Sequence, residues 1–378
     1  MKICELCAVD FTLQHFLVRL MTALAASGHE VVGVCSDGPY VAGLRARGFR
    51  IEPVEIARSM NPAAHLGSYR RLVALMRRER FDLVHVHTPV AALLGRLAAW
   101  RARVPRIVYT AHGFYFHDGM PGWQRAIFLT LEWLAGRVTD LLLTQSAEDA
   151  ATARRWGLCR GGRVEAIGNG VDVARFHPLT DPAERAALRA SLDTPPDAVV
   201  ILMTGRLVAE KGHPELVEAM RQVDAMLWIA GERLPSDHAG SIDAALAAAA
   251  SDPVLRRRVR LLGHRADMPA LLRAADIFTL PSHREGMPRS IIEAMACGLP
   301  VVATNIRGAR EEVVPGADAA STGALVPVRD PAALAAALNR LVADPALRAH
   351  QGAAGRARAV ELYDEDKVVA RQLALLGL

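Results

Sequence analysis

The sequence predicts an α/β protein of two doubly wound, Rossmann-like domains, and three observations carry that prediction. Short apolar runs of strand length alternate with helix-length segments; the alternation stops over residues 177–197, where four prolines and no strand pattern stand; it then resumes. Such alternation implies βαβ units, hence a parallel sheet with helices on both faces. The third observation is length, because 378 residues exceed what one hydrophobic core usually serves.

Taken in order, the strand-like runs of the first half are 3–9, 31–35, 51–56, 83–87, 107–110, 141–144 and 164–167, with helix-length segments such as 14–27 and 62–79 between them. The second half repeats the pattern at 199–204, 226–230, 259–262, 277–281, 300–304 and 325–328. From residue 330 the tail reads as helix, and its last segment, 364–376, is long enough to cross back to the first domain. The expected division is 1–178, 179–362 and a returning helix at 363–378. Parallel sheets gather ligands at the carboxyl ends of their strands. Two such domains facing each other would place the chemistry in a central cleft.

Composition narrows the class. Half the residues are apolar but only 5% are aromatic, so the cores are expected to be Ala, Leu and Val packing. No apolar run approaches the ~18 residues of a membrane span, and the start, MKICELCAVDF, has no signal-peptide pattern. A cytoplasmic protein is expected. Five cysteines at 4, 7, 35, 159 and 297 form no paired framework, which fits a reducing compartment. Cys4 and Cys7 match C-x-x-C inside an apolar run, and are expected to be buried strand thiols.

Charge is uneven along the chain. Residues 1–177 carry 22 Lys and Arg against 15 Asp and Glu, leaving 23 against 25 for the rest. A solvated helix face accounts for this excess; attraction to anionic lipid headgroups at the inner face of a membrane is the second reading. Nucleic acid is not expected as a partner, since the arginines lack interleaved aromatics and no recognition motif is present.

Two stretches carry chemistry. After the run 199–204 comes GRLVAEKGHP, where Gly205, Arg206 and Lys211 bring backbone donors and two cations together between a strand and a helix. Its spacing is not that of a Walker loop. The second stretch is HREGMPRSIIEAMACGLPVVAT, in which Pro288 opens a helix that Gly298 and Pro300 close. Glu285 lies in the loop before the helix and Glu293 within it, eight positions and roughly 12 Å apart. A nucleoside diphosphate sugar would fit this pattern. Its phosphates would meet the helix entrance, Arg206 and Lys211, its ribose Glu293, and its sugar hydroxyls Glu285.

Three histidines end first-half runs. His85 and His87 are expected to project to opposite sides of the sheet, His85 packed and His87 near the cleft mouth. His112 stands in AHGF before a loop. The one D-x-D, Asp364 to Asp366, reads as a helix-start acid cluster rather than a cation site.

GRLVAEKG, PSHREGMPRSIIEAMACGLPVVAT and IGNGVDVARFHP together resemble the family 4 glycosyltransferases of the GT-B fold, over nearly the whole chain. TAHGFYF at 110–116 and the opening VDFTLQHF look like the branch that builds capsule, exopolysaccharide or lipid-linked glycans. The resemblance implies that Arg206 and Lys211, with Gly205, hold the donor diphosphate. It places ribose on Glu293, and the sugar on Glu285 with the backbone of Gly286, Met287 and Pro288. His112 would stand near the reacting carbon, so His112 and Glu285 are the catalytic candidates.

Such enzymes retain anomeric configuration, usually without a covalent intermediate, and no cofactor or metal is expected. The sequence departs from the family at Asp10 to His15, where a Gly-Gly turn is common, at Gly231-Glu232-Arg233, and at Arg307 to Glu311. Phe11, Thr12, His15 and His87 stand as acceptor-side candidates. The expected function is retaining transfer of a sugar from a UDP-linked donor, UDP-N-acetylhexosamine among them, to a glycan or polyprenyl-diphosphate-linked acceptor. A sugar-nucleotide epimerase of the same fold and a non-catalytic nucleotide- or glycan-binding protein are the alternatives. No G-x-G-x-x-G follows the first strand, which argues against an NAD-dependent oxidoreductase.

Overall fold

A computed structural model describes residues 1–56, 62–116, 119–233, 242–316 and 318–378, the side chains of 62 and 63 excepted. Residues 1–168 with 368–378 form one compact unit and residues 169–367 a second.

The first unit is built on seven parallel strands: β1 Lys2–Val9, β2 Glu30–Ser36, β3 Arg50–Pro53, β4 Leu83–His87, β5 Arg106–Ala111, β6 Leu141–Thr144 and β7 Val164–Ala166, in the order β3-β2-β1-β4-β5-β6-β7. β4 and β6 are buried at every residue, as strands with helices on both faces must be. One core, with Leu6, Val86 and Ala92, lies on one face; another, with Ile3, Leu13, Met21 and Leu141, on the other. Leu376 joins the second core, and the Arg106 guanidinium donates to the carbonyls of Leu376 and Leu375. The final residues thus belong to the first unit's fold.

The first helix begins earlier than the predicted 14–27. The chain passes straight from β1 into Asp10–Thr12, through a π-helical turn Leu13–Leu17, into Val18–Ala26. Asp10 explains the early start. Its buried carboxylate accepts the N–H groups of Phe11 at 2.9 Å and Tyr40 at 2.7 Å, tying the loop after β2 to the helix entrance.

The second unit has six parallel strands: β8 Val200–Thr204, β9 Met226–Ala230, β10 Val259–Gly263, β11 Ile277–Leu280, β12 Val301–Thr304 and β13 Gly323–Val326, in the order β10-β9-β8-β11-β12-β13. Residues 177–197, expected as a linker, contain a helix, Pro182–Ser191, that is part of this unit. Arg185 and Arg189 of that helix each reach an oxygen of Asp276 at 2.6 Å, and Arg189 also donates to the carbonyls of Ala274 and Ala198. The proline-rich stretch hid this anchor.

In each unit the strand order reverses at one point, between β1 and β4 and between β8 and β11. Loops leaving these neighbours diverge, so each reversal opens a crevice at the carboxyl ends. All five cysteines are free and buried. Asp364 accepts the N–H of Asp366 at 3.1 Å at the start of the helix Glu365–Leu376, as a helix-start acid does. Among the described residues no helix is long and apolar enough to cross a membrane.

Candidate active site

In the second unit the loops after β8 and β11 meet at the strand reversal. Lys211 ends a short turn, Ala209–Lys211, and its ammonium lies 2.5 Å from Glu285 Oε1. The same oxygen accepts the Ser282 hydroxyl at 2.8 Å. Gly212 permits this approach: its φ is +77°, and a Cβ there would sit 2.0 Å from the carbonyl oxygen of Pro281. Burial lowers the pKa of His213, so its ring is neutral and donates Nε2–H to the Arg206 carbonyl at 2.9 Å, closing the loop on itself. His283 ties the opposite loop in, donating its backbone N–H to the Glu210 carbonyl at 2.8 Å. Arg206 reaches Glu210 at 3.2 Å. Gly205, at the end of β8, donates its N–H to Ala230 at 3.0 Å.

The helix Arg289–Ala296 leaves this loop through Pro288 and carries Glu293, which is half-buried. Burial pushes the Glu293 carboxyl up to about 7 against the opposing pull of Arg289 and Arg175. Asn169 donates Nδ2–H to the Met287 carbonyl at 2.8 Å and fixes the turn from Gly286 to Pro288. From the other side comes Gly308, with φ of +79°, where a Cβ would lie 1.7 Å from the Gly286 carbonyl oxygen.

Beside it lies a carboxyl that sequence reasoning did not single out. Glu312 is wholly buried, and among the described residues neither of its oxygens has a hydrogen-bond partner. Burial, then the charges of Glu285 and Glu311, raise its pKa well above the ordinary carboxyl value. Its only signal was its place beside Val313 and Val314. Gly205, Arg206, Lys211, Glu285, Gly286, Met287, Pro288 and Glu293 are therefore contributed by two loops and one helix that meet at one strand reversal.

The first unit has a polar network at its own reversal. Glu5 of β1 stands opposite His85 of β4 in the sheet register. His85 and His87 do not project to opposite sides as expected. Residues two apart in a strand share a face, and both rings meet the Glu5 carboxylate, His85 Nδ1 at 3.1 Å and His87 Nε2 at 2.8 Å. Nor does His87 line a surface, because it is wholly buried, as are Glu5 and His85.

His87 Nδ1 lies 3.1 Å from His112 Nε2, and Gln145 Nε2 lies 2.9 Å from His112 Nδ1. Burial opposes ionisation of Glu5, but the charges and hydrogen bonds of His85 and His87 outweigh it and lower the carboxyl to about 2. Burial and the neighbouring His85 hold His87 down to about 4 against the pull of Glu5. An ionised carboxylate only accepts. The proton of neutral His87 therefore sits on Nε2, its Nδ1 accepts Nε2–H of His112, and His112 Nδ1 accepts from Gln145. This chain of partners favours one orientation and one tautomer for His87 and for His112.

Glu5, His85 and His87 bring ligand atoms within 4.8 Å of one another, the geometry of a cation site. Their facing atoms are already joined by hydrogen bonds inside a sealed core, so the set fits a shared-proton network better than a metal. Around it the acceptor-side candidates separate. The rings of Phe11 and His15 lie 4.3 Å apart between centres at a tilt of 38°, Tyr40 meets His15 edge-on at 5.3 Å, and Phe16 approaches His112 at 6.3 Å. Phe11, Phe16 and Tyr40 are exposed, whereas Thr12 is buried. Glu5 and Gln145 were missed in the sequence. A lone carboxylate within ICELCAV was the available signal, since a buried acid needs partners.

Residues 184–358 match the family described as Glycosyl transferases group 1, and residues 13–175 match Glycosyltransferase Family 4. The chain is 32% identical over 315 residues to the putative glycosyltransferase EpsD of Bacillus subtilis, covering 82% of this chain and 80% of that one. It is 31% identical over 261 residues to the UDP-Gal:alpha-D-GlcNAc-diphosphoundecaprenol alpha-1,3-galactosyltransferase of Escherichia coli, covering 67% of this chain and 65% of that one. The crystal structure of Anabaena HepE in complex with UDP superposes with a TM-score of 0.82 at 23% identity over the whole of both chains, which establishes the shared fold. Two parallel-sheet units with these matches place the chain among the glycosyltransferases of family 4, with the GT-B fold.

Proposed function

We propose that the protein transfers a sugar from a UDP-linked donor, a hexose or N-acetylhexosamine, to a polyprenyl-diphosphate-linked or glycan acceptor in the synthesis of surface polysaccharide or glycoconjugate. Transfer proceeds with retention and without a metal. The observation that carries this reading is the contact of Lys211 with Glu285, whose same carboxylate oxygen accepts the Ser282 hydroxyl, at the reversal between β8 and β11. A diphosphate offers the ammonium more negative charge than one carboxylate does. Donor binding would draw Lys211 toward phosphate and release Glu285 to accept hydroxyls of the sugar. As the bond to the sugar breaks, the departing diphosphate gains charge, and Lys211 and Arg206 stabilise it without a metal ion.

Glu293, as carboxylate, accepts from ribose hydroxyls. In the first unit, His112 is positioned through His87 by Glu5, and the exposed rings of Phe11, His15 and Tyr40 offer faces to an acceptor sugar. The acceptor named in the Escherichia coli relative is diphosphoundecaprenol-linked, and this supports a lipid-linked acceptor here. Such an acceptor places the protein at the anionic inner face of a membrane, which the basic first half suits.

The test is acceptor-dependent release of UDP across a panel of UDP-sugars and undecaprenyl-diphosphate-linked glycans, with the anomeric configuration of the product read by NMR. Lys211→Ala and Glu285→Ala are each expected to lose about 10²–10³-fold in transfer while keeping their circular dichroism. Chelator should leave the wild-type rate unchanged. Wild-type rates in both variants would sink the donor placement. Conversion of the donor to an isomeric sugar nucleotide with no acceptor present would replace transfer by epimerisation.

A further inference from the structure

We infer that the outward face of the helix Gly122–Gly136 inserts into an anionic lipid bilayer and seats the protein on it. This deepens the reading above, resting on it for the choice of partner, since a polyprenyl-linked acceptor resides in a bilayer.

The helix has two apolar faces where a surface helix should have one. Its inner face is accounted for. Glu132 takes the buried Arg96 guanidinium at 2.7 Å, Phe128 and Leu129 pack on the core, and Ala135 is buried. The opposite face should be polar. It carries Trp123, Ile127, Leu131 and Leu134, spaced by four, four and three so that they form one stripe. They are 67%, 49%, 37% and 51% exposed, and Trp133 on the flank is 42% exposed. Thr130, exposed beside the stripe, turns its hydroxyl proton inward to the Ala126 carbonyl at 2.8 Å. A continuous exposed stripe of this kind marks an interaction surface.

Neighbouring charge identifies the partner. The helix Pro89–Ala102 packs beside this one, and the helix Pro62–Glu79 packs on its far side. Between those two, Arg70, Arg77 and Arg101 converge on a shallow recess completed by Tyr69, Val73 and Ala74, and Trp100, next to Arg101, is exposed. A second copy meeting this face two-fold would bring two sets of arginines together at a desolvating contact, which like charges oppose. A bilayer supplies hydrocarbon for the stripe and phosphate for the recess at once. Tryptophans on the stripe and beside the recess suit the level where headgroups meet acyl chains.

Flotation of the full chain with vesicles of phosphatidylcholine alone, or with a quarter phosphatidylglycerol, tests this at low and high salt. Wild type should float with the anionic vesicles, and part of that capture should survive high salt, because insertion is not screened. Brominated acyl chains should quench its fluorescence, less so in Trp123→Phe. Ile127→Glu with Leu131→Glu should lower capture at least about tenfold. Arg70→Ala with Arg77→Ala and Arg101→Ala should lower it mainly at low salt. Both variants should keep wild-type circular dichroism and the thermal shift given by a UDP-sugar.

Capture equal to wild type in the Ile127 and Leu131 double variant overturns the inference, as does failure of wild type to float with anionic vesicles. A wild-type dimer that Ile127→Glu dissociates, without vesicle capture, would mean that a second copy covers the stripe. Capture without any UDP-sugar thermal shift would leave the membrane surface standing and remove the donor reading; the converse would do the opposite.

Discussion

If Glu293 holds the ribose as proposed, it joins protonation to ligand binding. Its carboxyl is pushed up to about 7 by burial, from an ordinary 4.5. The folded state therefore holds this proton more tightly than the unfolded chain. Its contribution to stability is fully present below about 4.5, is lost as pH rises to about 7, and is flat above that. Hydroxyls of a ribose prefer the carboxylate form. Affinity for a UDP-sugar should rise by up to roughly tenfold per pH unit below 7 and level off above it. Glu293→Gln should flatten that profile and remove its share of the stability slope, as calorimetric titration and thermal unfolding across pH would record. An unchanged binding profile in the variant would detach Glu293 from the donor.

Glu5 acts at one remove from any ligand. Glu5→Gln replaces an obligatory acceptor with an amide that can also donate, so the tautomers of His87 and His112 are no longer fixed. Transfer is expected to fall about 10²-fold in kcat with donor affinity unchanged. Nitrogen NMR of His112 should report mixed tautomers. A variant that unfolds instead is distinguished by its circular dichroism, and a single wild-type tautomer would refute the positioning role.

Among the elements, the strands were legible because parallel strands between helix layers are continuously apolar, as in LLLT at β6 and VVAT at β12. Boundaries set by single polar residues were not. Asp10 reads as a loop residue until its two backbone donors are seen, and the proline-rich 177–197 reads as linker until Arg185 and Arg189 are seen gripping Asp276. Strand parity alone would have put His85 and His87 on one face. The loops proposed to bind the donor were legible as charges and glycines, but their convergence depends on close backbone approaches that no spacing reveals. Gly308 is the clearest. Gly308→Ala forces a left-handed residue to carry a Cβ into the Gly286 carbonyl, so the loop holding Met287 and Pro288 must shift. Such strain costs about 1–3 kcal/mol. The variant should unfold earlier and lose most of its UDP-sugar thermal shift. A shift of wild-type size would mean that this loop does not hold the donor.

At the scale of the whole molecule, the division into two α/β units was legible in the break of the alternating pattern. The contribution of the last residues to the first unit was legible only as helix length. Leu376 is fully buried with Ile3, Leu83, Val108 and Leu141, so the first unit's core is completed by residues about 200 positions after its last strand in the chain. Removing that side chain leaves a cavity lined by strands of the first sheet, and Leu376→Ala should cost about 2–5 kcal/mol there. The second unit has its own two cores and contains the loops proposed to hold the donor, so a UDP-sugar should still stabilise it in the variant. The two can be read apart. Trp228 is the one tryptophan of residues 169–367, fully buried with its indole N–H on Thr194 at 3.1 Å, while Trp100, Trp123, Trp133 and Trp156 lie in the first unit and are exposed. With those four changed to Phe, emission from Trp228 should follow the second unit alone and keep its ligand-induced shift, while Leu376→Ala lowers the earlier transition seen by calorimetry. One transition that moves as a whole, with Trp228 tracking it, would show instead that the chain unfolds as a single cooperative body.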